Sequence, residues 1–192
     1  MRLQKTAVLI PILVVTAFSA DRLSMTIRVL DQANVPDGIL YKMERYVINT
    51  LSGIEVDVTW VDCKANIEVC KTTRGVNEFW LRILGQVPSD AGTEQLGFTQ
   101  SSGIQCVNVI YPRIAKLVEL VHGDPDQILG AAAVHEIGHL YLGDNNRAHS
   151  KTGIMSGAWS VREIELISIG ELKFNREQGQ RIRGAMRAGL GL

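Results

Sequence analysis

The chain has 192 residues, 46% of them hydrophobic, which is enough to build one domain around its own core and too apolar for a disordered tail. Its 20 basic and 20 acidic residues cancel, so no net charge steers it toward nucleic acid or an anionic membrane, and no nucleic-acid partner is expected. There is no internal repeat, low-complexity tract or long linker, so nothing marks a second domain.

The first twenty residues differ in kind. MRLQK is positively charged, the 13-residue run TAVLIPILVVTAF is apolar, and the small residues Ser19 and Ala20 follow. That order is the grammar of a secretory signal peptide. A bilayer-spanning helix needs about 20 apolar residues, and this shorter run also carries Pro11, so no stable membrane anchoring is expected after cleavage. The expected organisation is a signal peptide over 1–20 and a single domain over 21–192, secreted or periplasmic, and membrane-tethered if the segment stays uncut. The first strand starts about four residues past the expected cut, which leaves no room for a pro-segment. Export would put Cys63, Cys70 and Cys106 in an oxidising compartment. The short spacing between Cys63 and Cys70 favours a local bridge, with Cys106 left as a buried thiol; three reduced cysteines are the alternative.

Residues 24–30, SMTIRVL, are rich in β-branched side chains and read as a strand. Pro36 or Asp37 opens a helix through ILYKMERYVINTL, with Ile39, Met43, Tyr46 and Leu51 at helical spacing and Gly53 past its end. IEVDVTWVDC then alternates, Ile54, Val56, Val58 and Trp60 on one face against Glu55, Asp57 and Thr59 on the other. Strand, helix, strand in one sheet implies a right-handed crossover between parallel strands. FWLRILG, QLGFT and IQCVNVIY add three short β-type runs, for five strands in all. The pattern turns helical at PRIAKLVELVH and breaks at HGDP. Asp124, Pro125 and Gln127 predict a capped start for a second helix, QILGAAAVHEIGHLYL, which stops at a left-handed Gly143. The segment that follows looks looser until Asn175 and Gln178 cap REQGQRIRGAMR, whose arginines make a solvated basic face.

Three of the four histidines fall in HEIGHLYLGDNNRAHSKTGIMS, residues 135–156. His135 and His139 are four apart on the long helix, so they share one face and can hold one ion, continuing the stripe Ile128, Ala132, His135, His139, Leu142. Glu136 is turned about 100° from the first histidine and reaches a water beside the ion rather than the ion itself. Imidazoles at this spacing suit a single catalytic zinc with three protein ligands and one open position.

The stretch resembles the zinc-binding region of the metzincin metallopeptidases, H-E-x-x-H-x-x-G-x-x-H followed by a methionine turn. His135, Glu136 and His139 match; Gly143 comes one residue late and His149 four residues late, with DNNRA read as an inserted loop; Gly153-Ile154-Met155 looks like the turn. The resemblance implies an α+β, metzincin-like fold: a five-stranded mixed twisted sheet, an active-site helix carrying HExxH, and a C-terminal helix. It implies zinc held by His135, His139 and His149, Glu136 as general base, and Met155 as an apolar floor under the imidazoles. It further implies a peptide or protein substrate paired as an extended chain with QLGFT or IQCVNVIY. Trp159 stands where such enzymes often place a tyrosine, so an extra oxyanion donor is unfilled. Two other readings stay open. In a gluzincin-type peptidase, Glu163 or Glu165 of VREIELI would be the third ligand. In a non-catalytic secreted module, a structural zinc would have four protein ligands, with Asp144 the nearest spare carboxylate.

Overall fold

The computed structural model describes residues 22–64, 67–70, 75–100, 105–143 and 148–189. The expected signal peptide and its cleavage point lie outside the described residues, as does Asp144. In chain order the elements are β1 (Leu23–Asp31), α1 (Asp37–Ser52), β2 (Val56–Asp62), α2 (Ile67–Cys70), β3 (Glu78–Leu84), β4 (Gly97–Gln100), β5 (Cys106–Ile110), α3 (Tyr111–Val121), α4 (Pro125–Leu142), α5 (Val161–Ser168) and α6 (Arg176–Arg187). Together they make an α+β fold with one five-stranded mixed sheet in the order β2-β1-β3-β5-β4. β4 alone is antiparallel, and it forms one edge of the sheet beside β5.

Strand periodicity decides what the sheet buries. Met25, Ile27 and Val29 of β1 and Phe79, Leu81 and Ile83 of β3 alternate inward into the core, where α1 and α4 cover them. On the opposite face the Arg28 guanidinium pairs with Glu78, which keeps a nearly buried cation matched. α1 lies close against α4 because Gly130 has no side chain; a Cβ there would meet Tyr46 Cβ at 2.8 Å.

α4 is buried almost all round rather than along one stripe, as suits a helix with sheet on one side and helices on the others. From Ile128 to Leu142, His135 is the only residue that is not buried, so the helix opens to solvent at that point. The expected cap at its start does not form: Asp124 makes no side-chain cap bond, and the Gln127 amide donates instead to Asp126 Oδ2 at 3.0 Å. Pro125, with no N–H to satisfy, still begins the helix. Gly143 ends it at φ 84° and ψ 168°, outside the expected left-handed helical region and in one that glycine alone enters readily.

Further expectations are corrected or met. Ile54 is not part of β2; it sits in the turn after α1, where Glu55 takes φ 61°. The segment before Asn175 is not loose: Ser160 and Glu163 form a capping box that starts α5. The Cys63–Cys70 bridge is present, with Cα atoms 5.7 Å apart, and Cys106 is free and buried. α6 begins with Asn175 and Gln178 capping each other as expected. No helix among the described residues is long and apolar enough to cross a membrane.

Candidate metal centre

One turn of α4 carries His135 and His139, and the segment entering at Ala148 brings His149 over them. The Nε2 atom of His139 lies 3.1 Å from Nε2 of His135 and 3.1 Å from Nε2 of His149. Two of the Nδ1 atoms are occupied. Nδ1 of His135 donates to the Ile154 carbonyl at 2.8 Å, and Nδ1 of His139 to the Gly143 carbonyl at 3.1 Å. In neutral rings that tautomer leaves a lone pair on each Nε2, so the close approach of His135 and His139 is not a hydrogen bond. Lone pairs converging in this way are the arrangement a cation relieves. Nitrogens about 2.0–2.1 Å from a tetrahedral zinc stand about 3.3 Å apart, close to the spacing found here.

Burial pushes the His135 imidazole down to about pKa 4; its bond to the Ile154 carbonyl opposes this, and the other two imidazoles add to the depression. His149, though exposed, is lowered as well, by partial desolvation of its ring first and then by His139. Both are therefore neutral near pH 7, as metal-binding imidazoles must be. Donor chemistry, tautomer and spacing all fit zinc.

The stretch from Ser150 to Ser156 closes onto this turn of α4. Met155 is fully buried, and its sulfur occupies the space a Cβ on Gly138 would fill, so Gly138 is what lets the turn close onto α4 between the two helical histidines. Gly153 takes φ +90°, and its N–H donates to Glu163 Oε1 at 3.2 Å. The N–H of Ile154 donates to the Lys173 carbonyl at 3.1 Å, and that of Ser150 to the Met155 carbonyl at 2.9 Å. Trp159 stands edge-on to His135, centroids 6.1 Å apart, and its indole N–H reaches the same Ile154 carbonyl at 3.4 Å.

Glu136 is buried and lies against β4, its side chain beside Gly97. The Thr99 hydroxyl lies 2.8 Å from its backbone carbonyl and 3.3 Å from Oε2. Glu163 is accounted for differently from a ligand: its carboxylate accepts from the Ser160 N–H and hydroxyl, each at 2.7 Å, and from Gly153. Burial alone would raise its pKa, but those three bonds outweigh burial and hold it below the usual glutamate value. Glu165 is exposed on the same helix, and neither glutamate joins the histidine cluster. Among the described residues, the cluster that can hold an ion is His135, His139 and His149.

Sequence reasoning passed over Gly97, Thr99, Gly138 and the role of Glu163. For Glu163 a signal existed, the Ser-x-x-Glu spacing at Ser160. For the other three none did, because each acts on a partner distant in the chain.

No family model matches this chain, and no curated protein does. Among solved structures, archaemetzincin from Methanopyrus kandleri is similar over 88% of this chain and 98% of its own, at 15% identity and a TM-score of 0.47. At that level the likeness carries nothing about chemistry, which has to come from the site.

Proposed function

We propose that the chain is a zinc-dependent endopeptidase of metzincin type, with His135, His139 and His149 as ligands and Glu136 as general base. The observation that carries this reading is the convergence of three imidazole nitrogens, two of them 3.1 Å from the third, one residue along the helix from a buried glutamate. When bound, zinc supplies Lewis acidity toward water and toward a peptide carbonyl alike. The carbonyls of Ile154 and Gly143 fix the His135 and His139 tautomers and so aim both Nε2 lone pairs. A Glu136 carboxylate oxygen takes a proton from the attacking water and passes it to the departing amide nitrogen. Met155 contributes packing, not ligation. The outer edge of β4 has backbone groups to pair with an extended substrate, a mode that tolerates many side chains.

Secretion or export to a periplasm belongs to the same proposal. It rests on the charged, apolar and small-residue order of residues 1–20, and a Cys63–Cys70 disulfide is at home in an oxidising compartment.

The test is hydrolysis of a broad peptide mixture by zinc-loaded protein, beside Glu136→Gln. We expect the variant to retain zinc and to lose at least about a hundredfold in rate. Equal hydrolysis by both proteins would overturn the assignment of Glu136, and an inert wild type would overturn the peptidase.

A further inference from the structure

We infer that Thr99 is a positioning residue for Glu136, so that the edge strand of the sheet orients the general base. The inference rests on the peptidase reading above.

β4 is four residues long and antiparallel to β5, with Gly97 opposite Val109 and Thr99 opposite Val107. Two residues apart, Gly97 and Thr99 share a face of the strand, and both meet Glu136 of α4. The Thr99 hydroxyl has one hydrogen to share between two acceptors on one residue, in a shorter contact to the Glu136 carbonyl at 2.8 Å and a longer one to the Glu136 carboxylate at 3.3 Å. A helical carbonyl has a second lone pair beyond the one used in the helix, so the first contact anchors the strand without disturbing α4. The second falls on the side chain that has to hold its carboxylate toward water. Because threonine is β-branched, its hydroxyl is held in few rotamers and the anchor is stiff.

Gly97 completes the cradle. A Cβ there would lie 2.7 Å from Glu136 Cγ and 3.1 Å from Glu136 Cδ, and 2.5 Å from the Asn108 carbonyl. Glu136 therefore occupies a notch that only glycine leaves, between the strand and its own hydrogen-bonded partner. Gly97 sets where the side chain runs, and Thr99 sets where its carboxylate stops. Both hydrogen bonds and the side-chain approaches of this cradle fall on Glu136, so the cradle acts on the base.

The experiment compares zinc-loaded wild type with Thr99→Val, Thr99→Ser and Glu136→Gln. It reads zinc content, kcat and KM for a peptide, and affinity for acetohydroxamate, a zinc chelator whose proton a neighbouring carboxylate accepts. We expect Thr99→Val to keep its zinc and its KM, to lose about tenfold in kcat, and to bind the hydroxamate about tenfold more weakly. Thr99→Ser should return both readings to within about threefold of wild type, because the hydroxyl is restored. A merely structural role for Thr99 would lower folding stability and leave the kcat of the folded fraction intact. Thr99→Ala, which removes the hydroxyl without adding bulk, takes the same readings if valine disturbs the strand. Thr99→Val and Thr99→Ala with wild-type kcat and hydroxamate affinity, while Glu136→Gln loses both, would overturn the inference and leave the peptidase standing. A zinc-loaded wild type that is inert, with hydroxamate affinity unaltered in Glu136→Gln, would overturn both.

Discussion

His135 and His139 stand on one buried helix, whereas His149 stands in an irregular segment and is exposed. For the helical pair, 3.6 residues per turn alone brings the rings to centroids 4.8 Å apart. His149 is brought to the same point by an irregular segment that later elements hold on either side of it. Gln178 of α6 donates to the Ala148 carbonyl at 3.5 Å and to the Ser150 hydroxyl at 3.1 Å. Glu163 of α5 and the Lys173 carbonyl fix the turn below. Two of the clustered imidazoles are thus set by local geometry and one by long-range contacts. The long-range one is open to perturbation by residues that never touch it.

Substitutions can break that contrast. His139 contributes the nitrogen nearest both of the others, so His139→Ala should weaken zinc binding more than a hundredfold, beyond the range of about 10- to 100-fold typical when a group that only orients a ligand is lost. His149→Ala should cost at least about tenfold but less than His139→Ala. Competition against a chelator ranks the two, and an equal loss would mean that the irregular segment is as firmly set as the helix.

Next in size, Gly138→Ala puts a methyl where the Met155 sulfur sits, and overpacking of this kind costs about 1–3 kcal/mol. Thermal unfolding should show the loss, and zinc affinity should fall with it, since the Ile154 carbonyl that holds His135 Nδ1 belongs to the displaced stretch. Gly138→Ala with unchanged unfolding and affinity would show that Met155 can move aside freely.

Glu163→Ala removes the α5 cap and the anchor of Gly153, which should cost about 1–2 kcal/mol. The effect on zinc should be smaller than for either histidine, because Glu163 acts only through the turn. A collapse of zinc binding equal to that of His149→Ala would revive Glu163 as a ligand.

The smallest effect is in pH. The Glu163 carboxyl is depressed in the fold, so its contribution is fully present above its unfolded value near 4.5 and is lost as pH falls through the lower folded value. Wild type should therefore lose stability on acidification below about pH 4.5 more steeply than Glu163→Gln. Parallel acid-unfolding curves would contradict the cap.

The same contrast explains what the sequence could disclose. The five strands, the crossover helix and the span of α4 were legible because period-two and period-3.6 burial is written into neighbouring residues. The HExxH pair was legible for the same reason. α5 entered only as the later helix of the gluzincin alternative: it is eight residues long, and Val161 at its start and Ile169 just past its end are exposed, so its apolar pattern is blurred. The pairing of Thr99 with Glu136 spans 37 residues and depends on β4 being the edge strand. No spacing in QLGFT encodes that. The expected cap at Asp124 failed for a related reason: Gln127 found a nearer acceptor in Asp126, a competition that residue types alone do not decide.

Zinc K-edge X-ray absorption on the metal-loaded chain counts the imidazoles directly. The account predicts three histidine nitrogens at about 2.0–2.1 Å with one further light atom in wild type, and two histidines in His149→Ala. Two histidines with a carboxylate in wild type, or four protein ligands leaving no open position, would contradict it.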